Sequence, residues 1–78
     1  MKYTVTGGLG FIGSNIVKAL LKKNHDVTII DNVDIKTNQS IFSLKDKISF
    51  FQEDIKNKNM IKEIIKDSEG VFHNAALI

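Results

Sequence analysis

The chain has 78 residues, 42% of them hydrophobic, and its 11 basic and nine acidic residues leave a net charge of +2. This composition excludes a disordered chain, and the absence of Cys excludes a disulfide framework and a Cys-based zinc site. The basic residues are all Lys and are interspersed with Asp and Glu, unlike the clustered cations of a nucleic-acid-binding protein. No apolar run reaches the length of a signal sequence or a membrane span, so we predict a cytoplasmic protein without a nucleic-acid or membrane partner.

The first part of the chain predicts a strand, a helix and a second strand. Residues 2–6 form a β-branched and aromatic run that ends at two glycines, which predicts a strand entering a turn. Residues 10–24 change to helical spacing, with Asn24 as a left-handed C-cap. The predicted apolar face of this helix consists of Ile12, Ile16, Ala19 and Leu20. Residues 27–30 are continuously apolar apart from one Thr, as in a strand buried on both faces.

The rest of the chain continues the alternation. Residues 32–40 are polar and turn-like, 41–47 predict one short helical turn, and 48–52 predict a third strand. Residues 59–67 predict a helix with Met60, Ile61, Ile64 and Ile65 on its apolar face, and 71–76 predict a fourth strand. This order predicts an α/β, Rossmann-like parallel sheet with strand order 3-2-1-4, the N-terminal portion of a doubly wound fold.

The segment between the first strand and the first helix carries the strongest chemical signal. It contains Gly7, Gly10 and Gly13 at intervals of three residues. Free N–H groups and the positive end of a helix at such a place bind a pyrophosphate, and glycines allow the backbone to approach it. The alternative is a flexible turn in which Gly13 serves only helix packing.

A carboxylate at the end of the second strand strengthens the nucleotide interpretation. Asp31 lies 18 residues after Gly13, close to the spacing of the acid that binds the adenosine ribose in dinucleotide-binding folds. Such a carboxylate accepts both ribose hydroxyls and repels a 2′-phosphate. No Arg follows it, so NAD is favoured over NADP, although Lys36 leaves NADP as an alternative. Asp31 could also serve only as a turn cap.

These residues carry a resemblance to a known family. The run from Thr6 to Ser14 resembles the signature of the extended short-chain dehydrogenases, within these most closely the NAD-dependent epimerase/dehydratase family of nucleotide-sugar enzymes. Three further matches follow in order: Asp31-Asn32, Asp54-Ile55 and residues 71–78. Together they span the whole chain and are specific, whereas individually only the first is.

The resemblance implies a cofactor role for particular residues. The backbone of Phe11 and Ile12 would contact the pyrophosphate, and Asp31 with Asn32 the adenosine ribose. Asp54 and Ile55 would contact adenine, and Asn74, Ala75 and Ala76 would line the path to the nicotinamide ribose. The complete set of implied cofactor-binding residues is Gly7, Gly10, Phe11, Ile12, Gly13, Asp31, Asn32, Asp54, Ile55, Asn74, Ala75 and Ala76. For Asp54 the alternative is a charge near the start of the next helix, and Asn74 departs from the apolar residue usual in relatives.

The resemblance also implies a reaction that this chain cannot complete alone. Family members epimerise a UDP-sugar through transient hydride transfer to NAD, act as homodimers, and use a Tyr-x-x-x-Lys motif. Tyr3 is the single Tyr, and residue 7 is Gly rather than Lys. We expect residues 1–78 to be a partial NAD(P)-binding domain without a substrate domain, inactive alone, with no catalytic or metal-binding residue; His73 is expected to be packed and hydrogen-bonded. The alternatives are a stand-alone nucleotide-binding module, another extended short-chain dehydrogenase such as a sugar-nucleotide reductase, and a poorly folding gene remnant.

Overall fold

The computed structural model describes residues 1–74. Strands and helices alternate along the chain, with two short 3-10 turns at Ile35–Thr37 and Lys45–Lys47. The main elements are β1 (Lys2–Thr6), α1 (Phe11–Lys22), β2 (Asp26–Asp31), α2 (Gln39–Phe42), β3 (Ile48–Gln52), α3 (Lys58–Ile65) and β4 (Gly70–His73). None of the helices in this part of the chain is long and apolar enough to span a membrane.

The four strands form one parallel sheet in the order β3-β2-β1-β4. Val5 pairs with Ile29 on one side and with Phe72 on the other, and Ile29 pairs in turn with Phe50. The predicted α/β fold class and the strand order 3-2-1-4 are therefore confirmed. Because all strands run the same way, the residues that follow β1, β2, β3 and β4 meet at one edge of the sheet, where open α/β folds bind their ligands.

The core lies between the sheet and α1. Val5, Val17, Ile29 and Ile41 are completely buried, and Leu9 from the glycine segment joins the same cluster at 8% exposure. Ile41 belongs to α2, so this short helix closes the cluster at one side.

The predicted apolar face of α1 is partly wrong. Ile16 and Leu20 pack against the core, but Ile12 is 64% exposed and Ala19 is also exposed. The residues that α1 buries most deeply are Gly13, Ser14 and Val17. The helix is rotated relative to the prediction because Gly13, which has no side chain, lies against the turn that follows β1. Asn24, with φ of 63°, is left-handed as predicted.

The elements after α2 are less buried than the sequence predicts. No residue of α3 is buried, and Met60 is 44% exposed although its spacing placed it on the packed face. Ile61, Ile64 and Ile65 are half-buried. Residues 32–40 are not merely a turn, since α2 begins at Gln39. The fourth strand ends at His73, and its predicted continuation through residues 75 and 76 lies outside the described residues.

Candidate functional site

The segment from Gly7 to Gly10, hereafter the glycine loop, is fixed to the end of β2 and to itself. Gly7 has φ of 67°, a left-handed conformation that favours glycine. Its N–H donates to the carbonyl of Ile30 (2.8 Å), and its own carbonyl accepts from the N–H of Gly10 (3.1 Å). The loop therefore has a defined shape rather than that of a flexible turn.

Two glycines of the motif have different reasons to be glycine. A Cβ at residue 13 would lie 2.2 Å from the carbonyl oxygen of Gly7, so the approach of α1 to the loop requires glycine there. A Cβ at Gly10 would meet only that same oxygen, at 3.4 Å, which is ordinary contact. Gly10 also has an unstrained extended backbone, with φ of −74°. The packing of the described residues thus demands glycine at 13 but not at 10, and the glycine at 10 leaves space beside the start of α1.

The N-terminus of α1 faces that space with unused donors. No side chain caps the helix, and the first turn contains no acidic residue. Within residues 1–74, the N–H groups of Phe11, Ile12 and Gly13 have no hydrogen-bond acceptor. The next N–H, that of Ser14, donates to the carbonyl of Gly10 (2.8 Å). The side chain of Phe11 is 84% exposed. Three free N–H groups at the positive end of a helix suit an anionic group such as a pyrophosphate.

Asp31 lies next to the glycine loop and contacts it. Its Oδ2 accepts from the backbone N–H of Leu9 (3.1 Å), and its Oδ1 accepts from the N–H of Val33 (3.3 Å). A carboxylate has about four acceptor sites, so each oxygen retains one for a further donor. The half-buried Asp31 thus supports the loop and can still accept a pair of hydroxyls.

The other predicted residues of the β2 and β3 ends reach the same edge. Glu53 N–H donates to the Asp31 carbonyl (2.9 Å) and holds the end of β3 beside β2. Asp54 is exposed and caps its own turn, its Oδ1 accepting from the N–H of Lys56 (2.9 Å). This bond lies in the turn that precedes α3, whereas the alternative for Asp54 was a charge near the start of that helix, whose first turn contains no acidic residue. Asn32 is exposed, and its side chain has no described hydrogen bond within residues 1–74; the apolar side chain of Ile55 is half-buried.

The end of β4 is attached to the last residue of β1. Asn74 N–H donates to both the carbonyl and the Oγ1 of Thr6, each at 3.1 Å. Thr6 Oγ1 also lies 2.8 Å from Nδ1 of His73. His73 is hydrogen-bonded, as expected, but its side chain is exposed and not packed, because β4 is at the edge of the sheet. Ala75 and Ala76 lie outside the described residues.

The sequence interpretation missed Asn38. Its Nδ2 donates to the carbonyl of Leu9 (2.9 Å), while its Oδ1 accepts from Ile41 N–H (3.1 Å) and caps α2. An Asn three residues before a buried Ile is a recognisable N-cap signal that would have located the start of α2. The contact with Leu9 joins residues 29 positions apart and has no local sequence signal.

The residues at this edge offer binding groups rather than a proton-transfer set. Within residues 1–74, no group of three or more His, Asp or Glu side chains is arranged to hold a metal ion. Tyr3 lies in β1, where its ring packs against His25 and Phe72 and its hydroxyl contacts Met1. The site can hold an anion at α1 and a diol at Asp31, the two polar features of an adenosine diphosphate, and a dinucleotide fits these residues.

Relatives of the chain share this region. A family model described as the 3-beta hydroxysteroid dehydrogenase/isomerase family matches residues 4–78. A UDP-glucose 4-epimerase of Neisseria meningitidis serogroup B is 38% identical in an alignment that covers 97% of this chain and 24% of that protein. The chain thus spans about a quarter of the length of this relative.

Solved structures agree in fold. A UDP-glucose 4-epimerase of Stenotrophomonas maltophila, with bound NAD and formylated UDP-arabinopyranose, matches with a TM-score of 0.85 and 30% identity over 100% of this chain and 25% of its own. A dTDP-glucose 4,6-dehydratase of Bacillus anthracis, in complex with NAD, matches with a TM-score of 0.84 and 28% identity over 99% of this chain and 27% of its own. The chain therefore belongs to the 3-beta hydroxysteroid dehydrogenase/isomerase family, among the NAD-dependent epimerases and dehydratases of the extended short-chain dehydrogenase type.

Proposed function

We propose that this chain binds NAD as the N-terminal portion of a nucleotide-sugar epimerase or dehydratase. The observation that carries the proposal is the space left at Gly10, where the packing of the chain does not require glycine, beside three unbonded N–H groups. Asp31 adds a carboxylate at the same edge of the sheet. The two related enzymes whose structures contain NAD support the choice of this dinucleotide.

Each part of the cofactor has a corresponding group. The N–H groups of Phe11 and Ile12 would bind the pyrophosphate, and Asp31 with Asn32 the hydroxyls of the adenosine ribose. Asp54 and Ile55 would border the adenine, and Asn74, with Ala75 and Ala76 beyond it, would lie toward the nicotinamide ribose. NAD, when bound, supplies a ring that accepts and returns a hydride.

Asp31 also provides selectivity between NAD and NADP. A 2′-phosphate would replace one of the hydroxyls that the carboxylate accepts and would bring two negative groups together. The exposed Lys36 has no described side-chain bond within residues 1–74, where its backbone N–H donates to Oδ1 of Asp34 (2.8 Å). We therefore expect NADPH to bind more weakly than NADH.

For a complete enzyme we propose 4-epimerisation of a UDP-sugar by transient hydride transfer, in a homodimeric, cytoplasmic protein. Dehydration of a nucleotide sugar is the second candidate, because the Bacillus anthracis dehydratase matches with almost the same TM-score as the epimerase. These 78 residues contain no Tyr-x-x-x-Lys motif, so we expect them to bind cofactor without turnover of UDP-glucose. Turnover by the purified chain would contradict this expectation.

The proposal can be tested by titrating the chain with NADH and measuring the fluorescence of NADH. The chain contains no Trp, so no Trp emission interferes with this signal. Gly10→Ala should weaken NADH binding at least about tenfold, since a methyl group would occupy the space left for the phosphates. It should lower the free energy of unfolding by no more than about 1 kcal/mol, because Ala is a poorer N-cap for α1 than Gly. Gly70→Ala, at the opposite end of the sheet, is the matched control and should bind as the wild type does. Failure of the wild-type chain to bind NADH would refute the proposal.

A further inference from the structure

Leu9, in the middle of the glycine loop, is held by two residues that are distant in sequence. Its N–H donates to Asp31 Oδ2 (3.1 Å), and its carbonyl accepts from Asn38 Nδ2 (2.9 Å). Its side chain is only 8% exposed and belongs to the core cluster. Both main-chain polar groups of this residue therefore have side-chain partners, which is unusual for a loop residue, since side chains form a minority of backbone partners.

Asn38 is well suited to hold the loop because it is fixed itself. Its Oδ1 accepts from Ile41 N–H (3.1 Å) and from Ser40 Oγ (2.8 Å), and its carbonyl accepts from Phe42 N–H (2.8 Å). The amide thus uses its oxygen on α2 and its nitrogen on the loop. If the amide were flipped, its nitrogen would face two donors and its oxygen would face the Leu9 carbonyl, so neither contact could be a hydrogen bond. The contacts therefore define the orientation of the side-chain amide.

The bond from Asn38 restrains one particular peptide group. The peptide unit between Leu9 and Gly10 has its carbonyl bonded by Asn38 and its N–H bonded to the carbonyl of Gly7 (3.1 Å). Carbonyl and N–H point in opposite directions across a trans peptide, so the unit cannot rotate while both bonds persist. Gly8 and Gly10 flank Leu9, and glycine allows such a rotation at little steric cost. Asn38 therefore removes a freedom that the glycines introduce.

We infer that Asn38 is a positioning residue for cofactor binding: it fixes the Leu9–Gly10 peptide, and with it the free N–H groups of Phe11 and Ile12 that follow. The inference rests on the proposed function, since it assigns a role toward the same phosphate site. Donors that are already oriented bind an anion without first losing conformational freedom, so loss of the restraint weakens binding even though Asn38 lies on another segment.

The test uses Asn38→Ser. Ser is as strong an N-cap as Asn, so the α2 cap is kept, but its side chain is too short to reach the Leu9 carbonyl. We expect the NADH dissociation constant to rise about 5- to 10-fold, the range that loss of one hydrogen bond gives. Asn57→Ser is the matched control, because Asn57 caps α3 by accepting from Met60 N–H and has no described bond to the glycine loop. It should bind NADH within about twofold of the wild type, given that no loop bond is lost.

Amide hydrogen exchange of the free protein provides a second readout that needs no cofactor. In Asn38→Ser, exchange at Gly10 should accelerate about tenfold while exchange at Val17, in the buried part of α1, stays unchanged. Asn38→Asp, which keeps the shape and the cap but replaces the donor, should have the same effect, and it serves if the Ser variant does not fold. Unchanged exchange at Gly10, or unchanged NADH affinity in a chain that binds NADH, overturns the inference. If the wild-type chain binds no NADH, the proposed function fails by itself and the Gly10 exchange rate alone decides the role of Asn38.

Discussion

The two halves of the molecule differ in how they are held together. Every buried residue of the described chain lies between Thr4 and Ile41, in the half that comprises β1, α1, β2 and α2. The half that follows contains β3, α3 and β4, and none of its described residues is buried. Its large apolar side chains are instead partly in solvent, with Phe51 at 43%, Met60 at 44% and Val71 at 42% exposure.

The difference indicates which half supports the candidate site. The glycine loop, Asp31 and Asn38 all belong to the buried half and are joined by hydrogen bonds across the carboxyl edge. The other half is attached mainly through strand pairing of β3 and β4, supplemented by contacts such as that between the hydroxyls of Thr4 and Ser68. Regions with few buried apolar contacts open more readily than a packed core. We therefore expect the phosphate site to be the most rigid part of the molecule and the region around Asp54 to be more mobile.

The largest expected effect on stability comes from adding one methyl group to the buried half. Gly13→Ala would place a Cβ 2.2 Å from the Gly7 carbonyl oxygen, and because the obstacle is backbone, neither side can move without disrupting the loop. We expect a loss of about 3 kcal/mol or more in the free energy of unfolding, despite the helix propensity gained from Ala. Urea unfolding followed by circular dichroism measures it.

Gly70→Ala is the counterpart in the exposed half. Its Cβ would lie 3.2 Å from the ring of Tyr3, a side chain that can shift by a few tenths of an ångström. We expect a change of less than about 1 kcal/mol. If the two alanine variants lose the same stability, the proposed distinction between the halves is wrong.

Truncation of a matched pair of isoleucines gives the next largest effect. Ile41 of α2 is completely buried in the core cluster, whereas Ile64 of α3 is half-buried and lies outside the core cluster of the described residues. Ile41→Ala should cost about 3 kcal/mol, because it leaves a cavity that the surroundings cannot fill. Ile64→Ala should cost about 1 kcal/mol, since water already reaches the side chain. An equal loss in both variants, measured by urea unfolding, would contradict the comparison.

Cofactor affinity should follow the same division. Asp31→Ala is expected to weaken NADH binding by about 1–3 kcal/mol, the cost of leaving polar partners unpaired. Asp54→Ala should weaken it by less than about 1 kcal/mol, because Asp54 is exposed and, among residues 1–74, bonds only within its own turn. Fluorescence titration with NADH measures both losses of affinity. An equal loss at Asp54 would contradict the comparison between the two halves. Asp31→Asn keeps an acceptor for Leu9 and should reduce the preference for NADH over NADPH.

Local sequence patterns predict the strands better than the helix surfaces. β1 and β3 have the predicted bounds, because turn residues such as Gly7 and Glu53 end them sharply. The strand order followed from the alternation of strands and helices, since parallel strands with right-handed crossovers leave few arrangements. The apolar face of α1 was misplaced because the close approach at Gly13 turns the helix, and periodicity alone contains no information about that contact. The prediction that Met60 is packed was wrong for a related reason, since helical spacing contains no information about the surface against which the helix packs.

The candidate site was predictable where one segment carries the signal. The glycine motif and the carboxylate of Asp31 follow from their spacing to β1 and β2, and the structure brings both to one edge of the sheet. Asn38 could not be foreseen in its second role, because the bond to Leu9 depends on how α2 folds back over the loop. The distinction between Gly10 and Gly13 likewise depends on how closely α1 approaches the glycine loop, because the two residues are equivalent in the motif.

The smallest expected effect on stability is that of Val71→Lys, which should nevertheless clearly reduce self-association of the chain. Val71 is 42% exposed on β4, an edge strand whose outer side has no partner strand within residues 1–74. Such an edge favours pairing with another copy, and a lysine on an edge strand opposes it. Val71→Lys should therefore reduce the self-association that light scattering detects at high concentration, while the free energy of unfolding changes by less than about 0.5 kcal/mol. Ser49→Lys adds the same charge to β3, the other edge strand, without removing an apolar group. If both variants reduce association equally, charge alone is responsible; a wild-type chain that stays monomeric would mean that β4 is not an associating edge.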